Sequence, residues 1–286
     1  MDLVKLGVIG GSGLYAMEGL EDVVEQRIPT PFGDPSDAIT IASVDGVRVA
    51  FLPRHGKGHR ILPSEVNSRA NVAALKSLGV EQILAFSAVG SLEEAYAPRD
   101  FAVPSQVIDR TRHRPDTFFG EGIVGHVAFA DPFCMRVGGL AYDAIGDLDV
   151  RAHRGGTLVC MEGPLFSTRA ESELYRSWGA SLINMSAIPE AKLAREAEIC
   201  YGLICMVTDY DCWHPDHEDV DIQMVIDNLT TNGKNAQTLV RSLARTLTDS
   251  ERTCTCKDAA QFAVITAPDV RPPETVKKLR GVIRGV

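Results

Sequence analysis

The chain lacks several features that would assign it a class outright. Its longest apolar runs stay under about a dozen residues, short of the ~20 a helix needs to cross a bilayer. Its start, Met1-Asp2-Leu3-Val4-Lys5, does not show the basic-then-apolar order of a secretion signal. Both absences predict a soluble, cytoplasmic protein with no membrane partner. Basic residues are outnumbered, 29 Lys and Arg against 38 Asp and Glu, for a formal charge of -9. That balance argues against a nucleic-acid partner, because phosphate backbones are gripped by a basic face. Internal repeats and low-complexity segments are also missing. The seven cysteines stand singly except for Cys254-Thr255-Cys256, and an odd number without small-domain spacing is no disulfide framework. Nearby in the sequence, no second Cys or His pair completes a tetrahedral zinc site with Cys254 and Cys256, so no metal is expected. A disulfide within this tail or to Cys200 stays open, as does the redox state of Cys134 and Cys205.

What is present fits an ordinary globular protein: 286 residues, 45% hydrophobic and 23% charged, enough to bury a substantial core. Short apolar runs read as strands at 6–10, 82–91, 100–108, 156–161, 182–186 and 199–207, with a hairpin of 38–44 and 47–52 turned by Asp45-Gly46. Helical patterns fall between them at 64–78, capped by Ser64, then at 133–148, 168–178, 191–198 and 222–247. This alternation predicts an α/β fold with a central mixed, largely parallel twisted β-sheet flanked by helices. Residues 1–247 form the expected main domain. The tail, 248–286, changes character: polar and cysteine-containing, then a strand-like 261–266, then a Pro-rich linker and a basic helix over 274–284. It is expected to pack on the same domain or on a neighbouring subunit.

The stretch with most chemical promise is Val207-Thr208-Asp209-Tyr210-Asp211-Cys212-Trp213, which follows the buried strand 199–207. In open α/β sheets ligands sit beyond the carboxyl ends of the strands. In an extended chain, side chains two apart point the same way, so Asp209 and Asp211 are expected to face one ligand together. Two acids that merely end a strand and begin a solvated loop remain the alternative. Pro53-Arg54-His55-Gly56-Lys57-Gly58-His59-Arg60 is a basic, Gly-rich loop whose natural partner is an anion. Gly10-Gly11-Ser12-Gly13 can offer backbone N–H groups to an anion as well. Gly11, Gly13 and Ala16 also fit the letters of a dinucleotide fingerprint, but a Pro-rich loop at 29–35 stands where that fold needs its second strand and ribose-binding acid. His214-Pro215-Asp216-His217-Glu218-Asp219 has a metal-like composition without a metal-site spacing and reads as an acidic lid.

Six motifs in order, Gly10-Gly11-Ser12-Gly13-Leu14, Thr30-Pro31-Phe32-Gly33, Arg54-His55-Gly56, Glu162-Gly163-Pro164-Leu165-Phe166, Asn184-Met185-Ser186-Ala187-Ile188-Pro189-Glu190 and Thr208-Asp209-Tyr210-Asp211-Cys212-Trp213, together resemble the trimeric purine nucleoside phosphorylase family over roughly residues 4 to 266. The resemblance implies attack of inorganic phosphate on the anomeric carbon of a nucleoside, with departure of the base and no metal or organic cofactor. It assigns phosphate binding to Ser12, Arg54, His55, Ser87, Ala88 and Ser186, with Ser standing where family members often carry Thr. It places Met185 against the ribose and Phe166 against the base. Asp209 would take the place of an Asn found in relatives that act on 6-oxopurines, which points to adenine, and Asp211 would assist it. Ser167 and Ile222 align with positions linked to specificity at the 5′ end, where an apolar wall favours methylthio over hydroxyl. The implied reaction is phosphorolysis of a 5′-methylthio adenine nucleoside to adenine and 5-methylthioribose 1-phosphate. His126 and Ile265 resemble groups contributed across a subunit interface in a trimer or dimer of trimers. A broader adenosine or purine nucleoside phosphorylase is the nearest alternative. A non-catalytic nucleoside binder is the alternative from another class, although such a protein has no use for a phosphate site.

Overall fold

The strand and helix signals assemble into one eleven-stranded sheet in the computed structural model, which describes residues 4–11, 14, 17–215 and 222–286, the Met224 side chain apart. Ser12, Gly13, Ala16 and residues 216–219 of the expected lid lie outside the described residues. Strand β1 (Leu6–Gly10) runs parallel to β4 (Val47–Pro53) on one side and to β5 (Gln82–Ser91) on the other. The hairpin of β3 (Ile39–Val44) and β4 turns on Asp45 and Gly46, at φ of 48° and 81°. Positive φ at both central residues is the tight turn that matches strand twist. Strand β2 (Glu21–Gln26) pairs with β3 at the sheet edge. It is absent from the sequence prediction because its acidic, exposed residues show no buried alternation.

Strand β5 is the hub. Parallel to it lies β11 (Cys200–Asp209), while its last residues pair antiparallel with β10 (Leu182–Asn184). Beyond β10 follow β9 (Thr157–Met161) and β7 (Gln106–Arg110). On its other edge β11 carries β6 (Phe101–Val103), which pairs with β8 (Ala152–Arg154). The single strand expected over 100–108 is therefore two, β6 and β7, on different partners. Pro104 falls between them, and proline has no N–H to continue a ladder.

The apolar strands are buried on both faces. On β5, Ile83 and Ala85 join one core with helices α1 (Ser68–Ser77) and α4 (Ala187–Glu196). Leu84 and Phe86 join the other, with α2 (Met135–Ile145) and α5 (Ile222–Asp249). Helix α3 (Arg169–Ser177) covers the β9–β10 end through Tyr175. The expected cap at Ser64 is not used: Pro63–Glu65 form a short 3-10 turn, and Asn67 accepts from the Ala70 N–H to start α1. Residues 261–266 contribute an isolated bridge, Gly125 to Val264, rather than a strand. The final helix, α6 (Pro273–Leu279), is shorter than expected, and Leu279, Val282 and Ile283 are buried in the core shared with α1 and α4.

Candidate active site

The carboxyl ends of β4, β5, β10 and β11 bring most of the expected residues together. Arg54 follows β4 and is 4% exposed. Its Nε and Nη2 donate to the Glu190 carboxylate at 2.6 and 2.9 Å, and its Nη1 donates to the Phe86 carbonyl at 2.7 Å. Burial disfavours the guanidinium charge, yet Glu190 outweighs burial and holds Arg54 above its ordinary value. The Tyr201 hydroxyl also contacts the guanidinium, which is thereby fixed at the edge of the cleft. Glu190, in α4, also accepts from Tyr201 Oη at 2.8 Å. His55 follows, with Nδ1 2.9 Å from the Ile61 carbonyl, so Nδ1 carries the hydrogen and Nε2 is an acceptor. Burial, and then the Arg54 charge, lower its pKa to about 4. Neutral His55 therefore meets an anion as a hydrogen-bond partner rather than as a cation.

Ser87 and Ser186 are 99 residues apart in sequence, but their hydroxyls lie 3.0 Å from each other. Asn184 Nδ2 donates to both, at 3.0 and 3.4 Å. Ser87 also reaches the Ala88 carbonyl, so Ala88 lies at the same point of β5. Arg54, His55, Met185, Ser186 and Glu190 line one small cleft together with Arg114. Arg114 donates to the carbonyls of Met185, Ile188 and Glu162 at 2.7, 2.8 and 2.6 Å, bracing the loop that presents Met185 and Ser186. The rest of the basic loop points elsewhere. Lys57 bonds Glu25, and Arg60 bonds Asp37 and the Ser36 carbonyl, so only Arg54 and His55 of that loop face the cleft.

Asp209, the last residue of β11, is 5% exposed. Opposite Gly90 the register slips by one residue between Val207 and Asp209, a bulge that re-aims the strand end. A Cβ on Gly90 would stand 2.9 Å from Asp209 Oδ1, so the absence of a side chain there lets the carboxylate lie against β5. The Asp211 N–H donates to Oδ1 at 2.9 Å, and Thr208 Oγ1 is 2.6 Å from Oδ2. The same Thr208 hydroxyl is 3.2 Å from the Val89 carbonyl. One hydroxyl hydrogen cannot serve both; when it goes to Val89, the short contact to Oδ2 requires a proton on Asp209. Burial, opposed by these hydrogen bonds and assisted by the Asp211 charge, pushes the Asp209 pKa up to about 6. Asn228, on α5, holds the strand end by donating to the Thr208 carbonyl at 2.7 Å.

Asp211 is buried beside Asp209, but strand alternation does not place it there. It lies past the end of β11 in the left-handed region, φ 49°, and the two acids are joined through the Asp209 carboxylate and the Asp211 N–H. Its Oδ2 is buried with no hydrogen-bond partner among the described residues. Burial raises its pKa, opposed by the hydroxyls of Ser172 and Ser167. Ser167 is thus next to Asp211, and its carbonyl accepts from the Cys212 thiol at 3.3 Å. Phe166, one residue earlier, is half-exposed on the loop between β9 and α3. Ile222 opens α5 with most of its surface exposed. His126 and Ile265 belong to neighbouring chain segments: the His126 N–H donates to the Ala263 carbonyl and the Ile265 N–H to the Val124 carbonyl. Exposed Val124, Phe262 and Ile265 make this ribbon an apolar surface. His214 bonds Glu94 at 2.7 Å and packs on Trp213 and Tyr210, so its described contacts are those of a packed side chain.

Sequence reasoning assigned no role to Glu190, Asn184, Arg114 or Tyr201. Glu190 and Asn184 lie within a quoted motif, and an acid flanked by Ile188-Pro189 and Ala191 is the signal that could have marked Glu190 as buried and paired.

Residues 5–245 match the family described as the Phosphorylase superfamily. S-methyl-5′-thioadenosine phosphorylase of Gloeobacter violaceus is 52% identical over 283 residues, covering 98% of this chain and 95% of the relative. Among solved structures, a methylthioadenosine phosphorylase sourced from an Antarctic soil metagenomic library superposes with a TM-score of 0.93 at 45% identity, covering 99% of this chain and 100% of its own. The Schistosoma mansoni methylthioadenosine phosphorylase in complex with adenine gives 0.85 at 36% identity, covering 94% and 99%. With a matched family over most of its length, relatives above half identity and a shared fold, this chain belongs to the phosphorylase superfamily.

Proposed function

We propose that the chain catalyses phosphorolysis of S-methyl-5′-thioadenosine to adenine and 5-methylthioribose 1-phosphate, a pentosyl transfer. The relatives and structural neighbours carry that activity in their names, and the arrangement of the site supports it. The observation that carries the reading is the pairing of an anion cleft with a buried carboxyl poised to hold a proton. Ser87 and Gly90 lie three residues apart on β5, ~10 Å along the strand. Arg54, His55 and the paired hydroxyls of Ser87 and Ser186 gather at one point, and Asp209 stands against the other.

Phosphate is the co-substrate, and no metal or organic cofactor takes part. The Arg54 guanidinium and the serine hydroxyls hold the phosphate, with Ala88 completing its shell; neutral His55 accepts from a phosphate O–H. The Arg54–Glu190 pair keeps the guanidinium fixed before phosphate arrives, so little reorganisation is needed on binding. Met185 lies against the ribose and Phe166 over the base. As the glycosidic bond lengthens, negative charge moves onto the base. Protonated Asp209 donates to N7, while its other oxygen accepts from the 6-amino group. Asp211 supports the proton on Asp209 through its charge. Ser167 and Ile222 border the 5′ end. The exposed ribbon of His126 and Ile265 supports a homo-oligomer in which a neighbouring copy covers this surface.

Adenine release measured with and without phosphate, for methylthioadenosine, adenosine and inosine, tests the reading. Phosphate-dependent release with kcat/KM highest for methylthioadenosine is expected. Equal use of adenosine would mark a broader nucleoside phosphorylase, and no phosphate-dependent release from any of the three would overturn the reading.

A further inference from the structure

The fold completes a tetrathiolate cluster that the sequence leaves as an isolated pair. Cys134 caps α2, Cys200 opens β11, and Cys254 and Cys256 come from the tail. Their four sulfurs lie within 4.8 Å of one another, and Cys134, Cys200 and Cys256 are buried. Cys200 and Cys254 are 3.3 Å apart, and Cys200 also interacts with Cys134 and Cys256. Two disulfides would pair each sulfur with a single partner; here one sulfur meets three, which is an arrangement about a common centre. A tetrahedral ion bound at ~2.3 Å by four sulfurs sets them ~3.8 Å apart, within the spread observed. No two of the seven cysteines are joined in a disulfide.

We propose that Cys134, Cys200, Cys254 and Cys256 form a structural site for one thiophilic divalent cation, zinc, that ties the tail to the start of the central strand. Four S–H bonds release their protons to solvent as four Zn–S bonds form, with no change of oxidation state. The complex carries two negative charges, and the Arg252 guanidinium beside Cys200 balances part of them. Cys200 and Asp209 are the two ends of β11, nine positions or ~30 Å apart, so the site acts on the fold and not on the chemistry.

Metal analysis of the full chain purified under reducing conditions is expected to find about one zinc per chain, falling below about a tenth in the Cys254→Ser/Cys256→Ser variant. Should that variant not fold, the unaltered chain stripped of zinc and given Co2+ should develop the intense visible bands of a tetrahedral thiolate complex and a raised Tm. Metal-free protein that takes up neither ion overturns the proposal. So does a native mass two hydrogens lighter per cystine with Cys134, Cys200, Cys254 and Cys256 paired. Neither result depends on phosphorolysis.

Discussion

Asp209 and Glu190 are two buried carboxylates with opposite settings. Glu190 is matched by a guanidinium, whereas Asp209 is surrounded by one hydroxyl, one N–H and a second acid. A carboxyl whose folded pKa of about 6 exceeds its ordinary 3.8 keeps its proton longer in the folded state. The folded state is favoured below pH 3.8 and loses that advantage as pH rises through about 6, a difference of about 3 kcal/mol. Asp209→Asn should therefore raise stability at pH 7.5 by up to about 3 kcal/mol, with the gain gone below pH 4, as denaturant unfolding at the two pH values will read. The same variant should lose about 10²–10⁴-fold in kcat/KM for methylthioadenosine, because the proton for N7 is gone. An unchanged preference for adenine over 6-oxopurine nucleosides would remove Asp209 from base recognition. Glu190→Gln acts in the other direction. It leaves Arg54 buried without its counter-charge and should lower unfolding stability by about 3 kcal/mol. Phosphate, whose charge substitutes for the lost one, should then raise Tm more than it does in the unaltered chain. The partner of Glu190 was not legible in the sequence, because 136 positions separate it from Arg54 and only the fold brings them together, whereas Asp209 and Asp211 were expected together from their spacing.

At the level of elements, the central strands were legible because both faces are buried, which writes an unbroken apolar run into 82–91 and 199–207. Asp45-Gly46 was legible because few other pairs tolerate two positive φ values. Exposed β2 and short β8 left no such mark, and the geometry of the acid pair misled for a related reason. Period-two alternation ends where the bulge at Thr208 begins, and Asp211 belongs to a left-handed turn. The strand ends, not the strand interiors, therefore decide the site. Gly90 carries this furthest, since a methyl group there would meet Asp209 Oδ1 at 2.9 Å and Ile183 Cγ2 at 3.0 Å. Both strands are fixed by pairing, so the carboxylate is the group that shifts. Gly90→Ala should cost about 1–3 kcal/mol in stability from overpacking. It should lower kcat by about 10²-fold or more through the displaced acid, with the phosphate KM little changed. Steady-state kinetics in both substrates would separate these effects; a raised phosphate KM with intact kcat would place the disturbance in the anion cleft instead.

Over the whole molecule, the sheet is framed by two cores, and the tail reaches both, through Leu279, Val282 and Ile283 in one and Cys256 in the other. The family match ends at residue 245, yet the similarity to the Gloeobacter violaceus relative covers 98% of this chain and so extends into the tail. The basic segment expected as a helix over 274–284 contains three apolar residues, Leu279, Val282 and Ile283, that are nearly fully buried beside α1 and α4. Further ties run through Thr275 to the Glu121 carbonyl, Lys278 to the Glu121 carboxylate, and Arg284 to Glu198. The last two are partly exposed ion pairs and contribute little; burial of the three apolar side chains contributes about 1.5–3 kcal/mol each. Their sum approaches the whole net stability of a typical domain. Removal of residues 248–286 should accordingly give an insoluble or molten chain rather than a smaller active enzyme. The milder Leu279→Ala should destabilise by about 2–5 kcal/mol and leave kcat/KM near its original value at 25 °C, because the tail supports the core from outside the cleft. A fully folded, active 1–247 fragment with an unchanged Tm would show instead that the tail rides on a core that is complete without it.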